Sequence, residues 1–192
     1  MADAKRIVFL GPPNSGKGTQ AVRLAETLGV PAISTGDMLR AAVAAGSELG
    51  KRVAGVMERG ELVSDDLMAE VVKARLAEDD AKAGFLLDGY PRTLPQVSTL
   101  DGILESIGSD LNHVVYLSAP EEILVQRAVK RAQEQNRADD TPEVVRKRLQ
   151  EYAEKTEPLV GHYRGEGLLR EVDGDQAMDT VQQAILAAVQ AQ

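Results

Sequence analysis

The sequence contains no cysteine, no long apolar run and no excess of basic residues. Without cysteine, the chain cannot form disulfides or metal sites built from thiolates. No apolar stretch approaches the length of a membrane-spanning helix, and the N-terminal residues contain no apolar signal core. The formal net charge of -8 argues against a general surface for nucleic acid or anionic membrane, because such surfaces are basic. We therefore expect a cytoplasmic protein that binds neither and holds any polyanion with locally concentrated arginines.

What the sequence does contain is typical of one globular α/β unit. Of its 192 residues, 43% are hydrophobic and 27% are charged, which suits a chain with one sizeable core. Apolar segments that read as strands alternate with helical patterns, and they cover residues 7–10, 30–34, 85–87, 113–117 and 168–172. This alternation predicts a five-stranded parallel sheet with helices on both faces. Two helix starts are predicted from caps: Ser118-x-x-Glu121 has capping-box spacing, and Thr141 precedes a proline at the first turn.

The strongest motif spans residues 11–19, Gly-Pro-Pro-Asn-Ser-Gly-Lys-Gly-Thr, between the first apolar segment and a helical pattern. The spacing Gly-x4-Gly-Lys is that of a P-loop, whose backbone N–H groups surround a polyphosphate while the helix N-terminus adds partial positive charge. Lys17 would then reach the β- and γ-phosphates. The general pattern has Ser or Thr directly after the lysine, whereas this chain has Gly18 there and Thr19 one place later. A glycine- and proline-rich turn without a ligand is the alternative, but the strand and helix that the motif requires are both present.

Other polar residues follow the remaining predicted strands. Thr35 follows the second strand, residues 88–92 follow the third, and Asp173-Gly174 follows the fifth. In an open parallel sheet, ligands bind at the carboxyl ends of the strands near the switch in strand order. We therefore expect these loops and the P-loop to form one cleft. Asp88 ends an apolar strand, the setting of an acid that holds Mg²⁺ through water beside a nucleotide.

Three segments carry a resemblance to a known family. Gly-Lys-Gly-Thr-Gln at residues 16–20, Ile-Ser-Thr-Gly-Asp-Met-Leu-Arg at 33–40 and Gly-Phe-Leu-Leu-Asp-Gly-Tyr-Pro-Arg-Thr at 84–93 resemble the adenylate kinases, and the likeness extends over nearly the whole chain. The resemblance implies the P-loop nucleoside monophosphate kinase fold and reversible phosphoryl transfer from ATP to AMP with Mg²⁺, an activity of adenine nucleotide homeostasis. Asn14 departs from the family, which usually has a third glycine there. Asparagine tolerates a left-handed backbone, so we expect the loop to keep its geometry. Tyr90 stands where phenylalanine is common.

The resemblance also implies a set of site residues. Those expected around ATP are Asn14, Ser15, Gly16, Lys17, Gly18, Thr19, Arg131 and Gln176. Those expected around AMP are Thr35, Arg40, Glu61, Leu62, Val63, Gly89, Tyr90, Pro91, Arg92, Gln96, Arg137 and Arg148. Those expected to assist the transfer are Lys17, Arg92, Arg127, Arg131, Arg137 and Arg148. The residue types suit these tasks, because arginine forks grip phosphate and a glutamine amide offers adenine one donor and one acceptor. For each of the clustered arginines taken alone, a solvated helix face remains the alternative.

The same resemblance predicts how the chain is divided. A core P-loop domain would comprise residues 1–33, 64–129 and 141–192, a mobile AMP-binding segment residues 34–63, and a short lid residues 130–140. Some long-lid members hold a structural zinc in the lid, and a chain without cysteine cannot build that site from thiolates. We expect a monomer whose partners are ATP, AMP and ADP, with no structural zinc.

Two alternatives differ in substrate or in activity. A UMP/CMP kinase shares the P-loop and the Gly-x-Pro-Arg segment, but tends to carry alanine where this chain has Thr35. A non-catalytic module that senses adenylates would be expected to lack Lys17 or several of the arginines, and none is lost. We therefore favour the enzyme that acts on AMP.

Overall fold

The computed structural model describes residues 5–135 and 141–190. The strands are β1 Lys5–Leu10, β2 Ala32–Ser34, β3 Gly84–Asp88, β4 His113–Ser118 and β5 Leu169–Asp173. The α-helices are α1 Lys17–Leu28, α2 Thr35–Ala44, α3 Glu48–Glu58, α4 Asp65–Leu76, α5 Leu94–Ser106, α6 Glu121–Gln135, α7 Pro142–Glu151, α8 Pro158–Gly165 and α9 Met178–Gln190. Among the described residues, no helix combines the length and the apolarity that crossing a membrane would require.

The five strands form one parallel sheet in the order β2-β3-β1-β4-β5, which confirms the predicted fold class. Apolar residues on both sides of β1 explain why the sheet is covered on both faces. Val8 and Leu10 belong to one buried cluster, whereas Ile7 and Phe9 belong to a second one. Because successive side chains of a strand point to opposite faces, each cluster lies on its own side of the sheet.

The strand order places the switch in topology at β1. From β1 the chain crosses to β2 and β3 on one side, and later to β4 and β5 on the other. The connections that leave β1 and its neighbours therefore separate at the carboxyl end of β1 and open a crevice there. The P-loop, residues 11–16, begins at this point and leads directly into α1.

The two predicted helix caps have different outcomes. Thr141 is the N-cap of α7, and its side-chain oxygen accepts the N–H of Val144 at 3.3 Å, as predicted. The capping box at Ser118 is wrong, although α6 does begin at Glu121. Ser118 is the last residue of β4, where its hydroxyl donates to Val172 O at 3.5 Å and its carbonyl accepts the N–H of Gly174 at 2.7 Å. Pairing with β5 and its following turn therefore replaces the cap.

A π-helical segment, Tyr152–Thr156, joins α7 to α8 and was not predicted. Such segments are rare and are found frequently at functional sites. Glu151 immediately before it is buried, and its carboxylate pairs with Lys147 at 3.4 Å and with Lys155 at 2.6 Å. These pairs hold the pKa of Glu151 below its usual range, chiefly through the hydrogen bond from Lys155. The ion pairs of Lys147 and Lys155 with Glu151 thus stabilise the start of the π-helical segment.

Candidate functional site

Left-handed backbone shapes the P-loop. Gly16, the N-cap of α1, has φ of 98°, and Asn14 has φ of 69°, the one positive value among the described non-glycine residues. Gly11 lies so close to β4 that an added Cβ would be 2.5 Å from the carbonyl oxygen of Leu117. The expected left-handed conformation of Asn14 is therefore confirmed, and asparagine is one of the few side chains that accept it.

We expect Asn14→Gly to keep kcat and both KM values within about twofold, because glycine adopts a left-handed backbone without steric cost. Steady-state kinetics with ATP and AMP measure this. Asn14→Val is the matched variant, since a β-branched residue is strained at positive φ, and it should lower the melting temperature or raise the KM for ATP. Loss of activity in Asn14→Gly would show that the asparagine side chain itself is needed.

Lys17 is the first residue of α1 and folds back over the loop. Its Nζ donates to the carbonyl oxygens of Gly11 and Pro12, both at 2.8 Å. Its pKa is lowered from 10.5 to about 8, chiefly by burial, with Arg92 and Arg131 contributing and Asp88 opposing them. The ammonium group thus lies in a cation-rich region with one nearby carboxylate.

Arg127 of α6 joins the P-loop to the turn after β5. Its Nη1 donates to Ser15 O at 3.2 Å and its Nη2 to Gly174 O at 2.8 Å. Gly174 is packed so closely that an added Cβ would lie 2.9 Å from Ser118 O and 3.1 Å from Ser15 O. One guanidinium therefore fixes the main chain of two loops, and this contact with the loops is what the structure adds to the sequence prediction.

The loop after β3 brings Arg92 into the same cleft. Arg92 Nε donates to Gly89 O at 2.8 Å, and its main-chain carbonyl accepts the hydroxyl of Thr156 at 2.8 Å. Burial lowers the pKa of Arg92, Arg148 and Arg40 lower it further, and Asp88 opposes them. Like charges with few anions among them make this cleft suited to a polyanionic ligand.

The other residues expected at this edge of the sheet have varied positions. Thr35 is buried and donates to Asp88 O at 3.3 Å. Arg40 pairs with Asp37 at 2.5 Å. The Tyr90 side chain belongs to the core cluster, and the peptide bond from Tyr90 to Pro91 is cis. Only the main chain of Tyr90 is therefore available to a ligand in the cleft.

The segment after α3 lies beside α7. An added Cβ at Gly60 would be 3.1 Å from Val144 Cγ1 and 3.5 Å from Arg148 Cγ. Glu61 pairs with Arg59 at 3.0 Å, while Leu62 and Val63 are half-buried. Gly60, which leads into residues 61–63, thus lies beside Arg148, and Arg148 lies near Arg92.

The remaining expected residues are less enclosed. Gly18 and Thr19 are exposed at the start of α1, and Arg131 is half-buried on α6. Gln176 is exposed and donates to Asp173 Oδ2 at 2.8 Å. Arg137 lies outside the described residues.

Gln96 and its partners form a hydrogen-bonded network that the sequence analysis missed. Gln96 is 2% exposed, and Asp65 at the start of α4 accepts hydrogen bonds from Gln96 Nε2 at 2.7 Å and from Thr93 Oγ1 at 3.0 Å. Thr93 is the N-cap of α5 and accepts the N–H of Gln96 at 3.3 Å. The spacing Thr93-x-x-Gln96 is that of a capping box, so a signal for part of the network was present.

Asp88 is the main acidic candidate for a metal, ahead of Asp37. It is half-buried, and its Oδ2 would lie 3.5 Å from a Cβ added at Gly18. Across residues 5–135 and 141–190, no group of three or more histidine, cysteine or acidic residues could hold a metal ion. A single carboxylate beside a phosphate-binding loop fits Mg²⁺, which keeps most of its waters and takes its other ligands from substrate phosphates.

Comparisons with known proteins agree with this geometry. The family model described as "Adenylate kinase" matches residues 9–168. An adenylate kinase of Stenotrophomonas maltophilia strain K279a is 53% identical over 186 residues, which is 97% of this chain and 100% of that protein. Adenylate kinases of Xylella fastidiosa strain 9a5c and Xanthomonas axonopodis pv. citri strain 306 are 50% and 51% identical over 184 residues, which is 96% of this chain and 98% of each relative.

Proposed function

The chain belongs to the adenylate kinase family and transfers a phosphoryl group reversibly from ATP to AMP, giving two ADP, and we propose that the cleft at the carboxyl ends of β1 and β3 holds both nucleotides. The observation that carries this proposal is a cluster of positive charges around one carboxylate. Arg92 and Arg131 lie near enough to Lys17, and Arg148 and Arg40 near enough to Arg92, to act on them electrostatically, and Asp88 lies near both. A cleft of this composition suits two phosphate chains placed end to end.

For the donor, we propose that the P-loop main chain and Lys17 bind the phosphates of ATP. Residues 14–19 supply N–H groups at the N-terminus of α1, and Arg131 faces the same phosphates from α6. Arg127 would act on this site by fixing the loop, since its two hydrogen bonds end on the carbonyls of Ser15 and Gly174. Gln176 follows the turn that Arg127 holds, which supports its proposed place beside the adenine of ATP.

For the acceptor, we propose that Arg40, Arg92 and Arg148 bind the phosphate of AMP, with Arg137 completing the set. Thr35, the main chain of residues 61–63 and 89–91, and the amide of Gln96 would surround its base and sugar. The support is that Thr35 and Arg92 converge on one loop: Thr35 donates to Asp88 O and Arg92 to Gly89 O.

In the transfer, an oxygen of the AMP phosphate attacks the γ-phosphorus of ATP as the bond to the β-phosphate oxygen breaks, and ADP leaves. No side chain serves as a nucleophile, because positioning and charge neutralisation are sufficient for this reaction. Lys17 and the arginines would hold the two phosphate chains in line and offset charge on the transferring oxygens. Asp88 would hold Mg²⁺ through water, and that ion supplies further neutralisation of the phosphate charge when bound.

We propose that residues 34–63 and the lid, residues 130–140, close over the nucleotides and exclude water, while residues 1–33, 64–129 and 141–192 act as the stable core. The contact of Gly60 with Val144 and Arg148 supports this, since it joins the end of the AMP-binding segment to the helix that follows the lid. Residues 1–4, 136–140 and 191–192 of this division lie outside the described residues. We also propose a monomer that works in the cytoplasm, because all proposed site residues lie in one chain and the three nucleotides are abundant there.

A coupled assay of ADP formation tests the acceptor. ATP and Mg²⁺ are offered with AMP, CMP, UMP or GMP in parallel. We expect AMP to give a kcat/KM at least about a hundredfold above the others, since a site with fixed donors and acceptors rejects mismatched bases strongly. Preference for CMP or UMP would assign the chain to the pyrimidine kinases. Tight binding of ATP and AMP without formation of ADP would indicate a sensor.

A further inference from the structure

The amide of Gln96 has two fixed partners of opposite polarity. Its Oε1 accepts the main-chain N–H of Arg92 at 2.7 Å, and its Nε2 donates to Asp65 Oδ1 at 2.7 Å. A glutamine amide offers two acceptor and two donor positions. The described contacts use one of each, so one acceptor and one donor remain for a ligand.

These partners determine which way the amide faces. If the amide of Gln96 rotated by half a turn, its NH₂ group would meet the N–H of Arg92 and its oxygen would meet the carboxylate of Asp65. The first contact would oppose two donors and the second two acceptors, and both would leave buried polar groups without hydrogen bonds. Thr93 Oγ1 donates to the same oxygen of Asp65 and keeps the carboxylate in place.

The fixed orientation bears on the choice of base. Adenine presents a donor at its 6-amino group and an acceptor at N1, whereas hypoxanthine and guanine present an acceptor at O6 and a donor at N1. An amide locked in one orientation can match only one of these patterns, but an amide free to rotate can match either. We infer that Asp65 is a positioning residue that makes the acceptor site select 6-aminopurine over 6-oxopurine nucleotides. This inference rests on the proposed place of Gln96 at the base of AMP.

The chain offers a closely matched control for Asp65. Asp66 is the next residue in the first turn of α4 and carries the same charge, but it is exposed, and no described hydrogen bond joins it to Gln96. Asp66→Asn therefore reproduces the change of charge at the helix N-terminus while leaving the amide of Gln96 untouched.

The test compares kcat/KM for AMP with kcat/KM for inosine monophosphate, with ATP and Mg²⁺ saturating. In Asp65→Asn, the new side-chain amide can accept from Gln96 or donate to it, so the N–H of Arg92 is the one described partner that still sets the orientation. The preference for AMP should then fall about tenfold, the loss expected for a hydrogen bond to a charged group. KM for ATP should stay unchanged. Asp66→Asn should keep the wild-type ratio, and Asp65→Glu, which retains an acceptor, should restore most of it.

A second variant keeps the test interpretable if Asp65→Asn does not fold. Asp65→Ser presents a hydroxyl that can donate or accept, so it too should relax the preference, and thermal unfolding identifies which variants are folded. An equal loss of activity with AMP and with inosine monophosphate in every folded variant would overturn the inference. So would wild-type protein that uses inosine monophosphate as well as AMP. Wild-type protein that converts neither acceptor would instead contradict the proposed function.

Discussion

Replacing Lys17 by methionine should lower kcat about a thousandfold, the scale of loss seen when a group that stabilises transferring charge is removed. Methionine keeps most of the length of the side chain and removes its charge. Lys17 is the residue of the P-loop whose ammonium can follow the phosphate oxygens as charge shifts. Stopped or quenched assays of ADP formation at saturating ATP and AMP measure the effect.

The same substitution should not weaken the fold. Burial lowers the pKa of Lys17 from 10.5 to about 8, so the unfolded chain binds this proton more tightly than the folded one. The resulting cost to stability is fully present below pH 8 and disappears as the pH rises from 8 to 10.5. Lys17→Met should therefore leave the melting temperature at pH 7 unchanged or higher. Lys51→Met, at an exposed lysine of α3, serves as control and should change neither quantity.

A lower melting temperature together with lost activity would mean that Lys17 serves the loop's structure through its bonds to Gly11 and Pro12. Wild-type turnover in Lys17→Met would show that Lys17 is not part of the active site. The two measurements thus separate a role in phosphate binding from a role in folding.

Replacing Arg92 by alanine should lower kcat/KM for AMP about a thousandfold, while KM for ATP changes by no more than about threefold. Arg92 lies in the loop after β3, and its guanidinium lies close enough to Arg40 and Arg148 to be affected by their positive charges. Arg92→Lys keeps a positive charge but loses the planar fork, so about a hundredfold loss is expected. Initial rates measured as a function of each nucleotide separate the two KM values.

Arg146→Ala is the control, because Arg146 lies exposed on α7, the same helix as Arg148. It should behave as wild type. If Arg92→Ala raised KM for ATP as much as KM for AMP, the arginine would belong to the region between the nucleotides. Unchanged kinetics would place AMP elsewhere in the cleft.

The parts of the fold that could be predicted are those with a strong local signal. The apolar run of β1 and the glycines that follow it predicted both the central strand and the loop, because both depend on nearby residues. Strand order required more than local pattern, yet the parallel arrangement followed from the alternation of strands and helices. The left-handed backbone at Asn14 was also predictable, since few residues tolerate it.

What escaped prediction depends on contacts between distant residues. Ser118 has the spacing of a cap, but pairing with β5 determines its hydrogen bonds. Thr156 meets the carbonyl of Arg92 across 64 positions, and Asp65 meets Gln96 across 31. No local sequence pattern predicts these hydrogen bonds, because they form only when folding of the sheet brings distant loops together.

The burial of cations at Lys17 and Arg92 has a consequence for how long the protein survives when its ligands are scarce. Burial first, and neighbouring cations second, disfavour the charged forms of Lys17 and Arg92 in the folded protein. The negative charge of a bound nucleotide offsets this cost, so folding and nucleotide binding are thermodynamically linked. Resistance to proteases would then track the adenylate pool. Enzyme kept without nucleotides would be degraded sooner than enzyme kept with them.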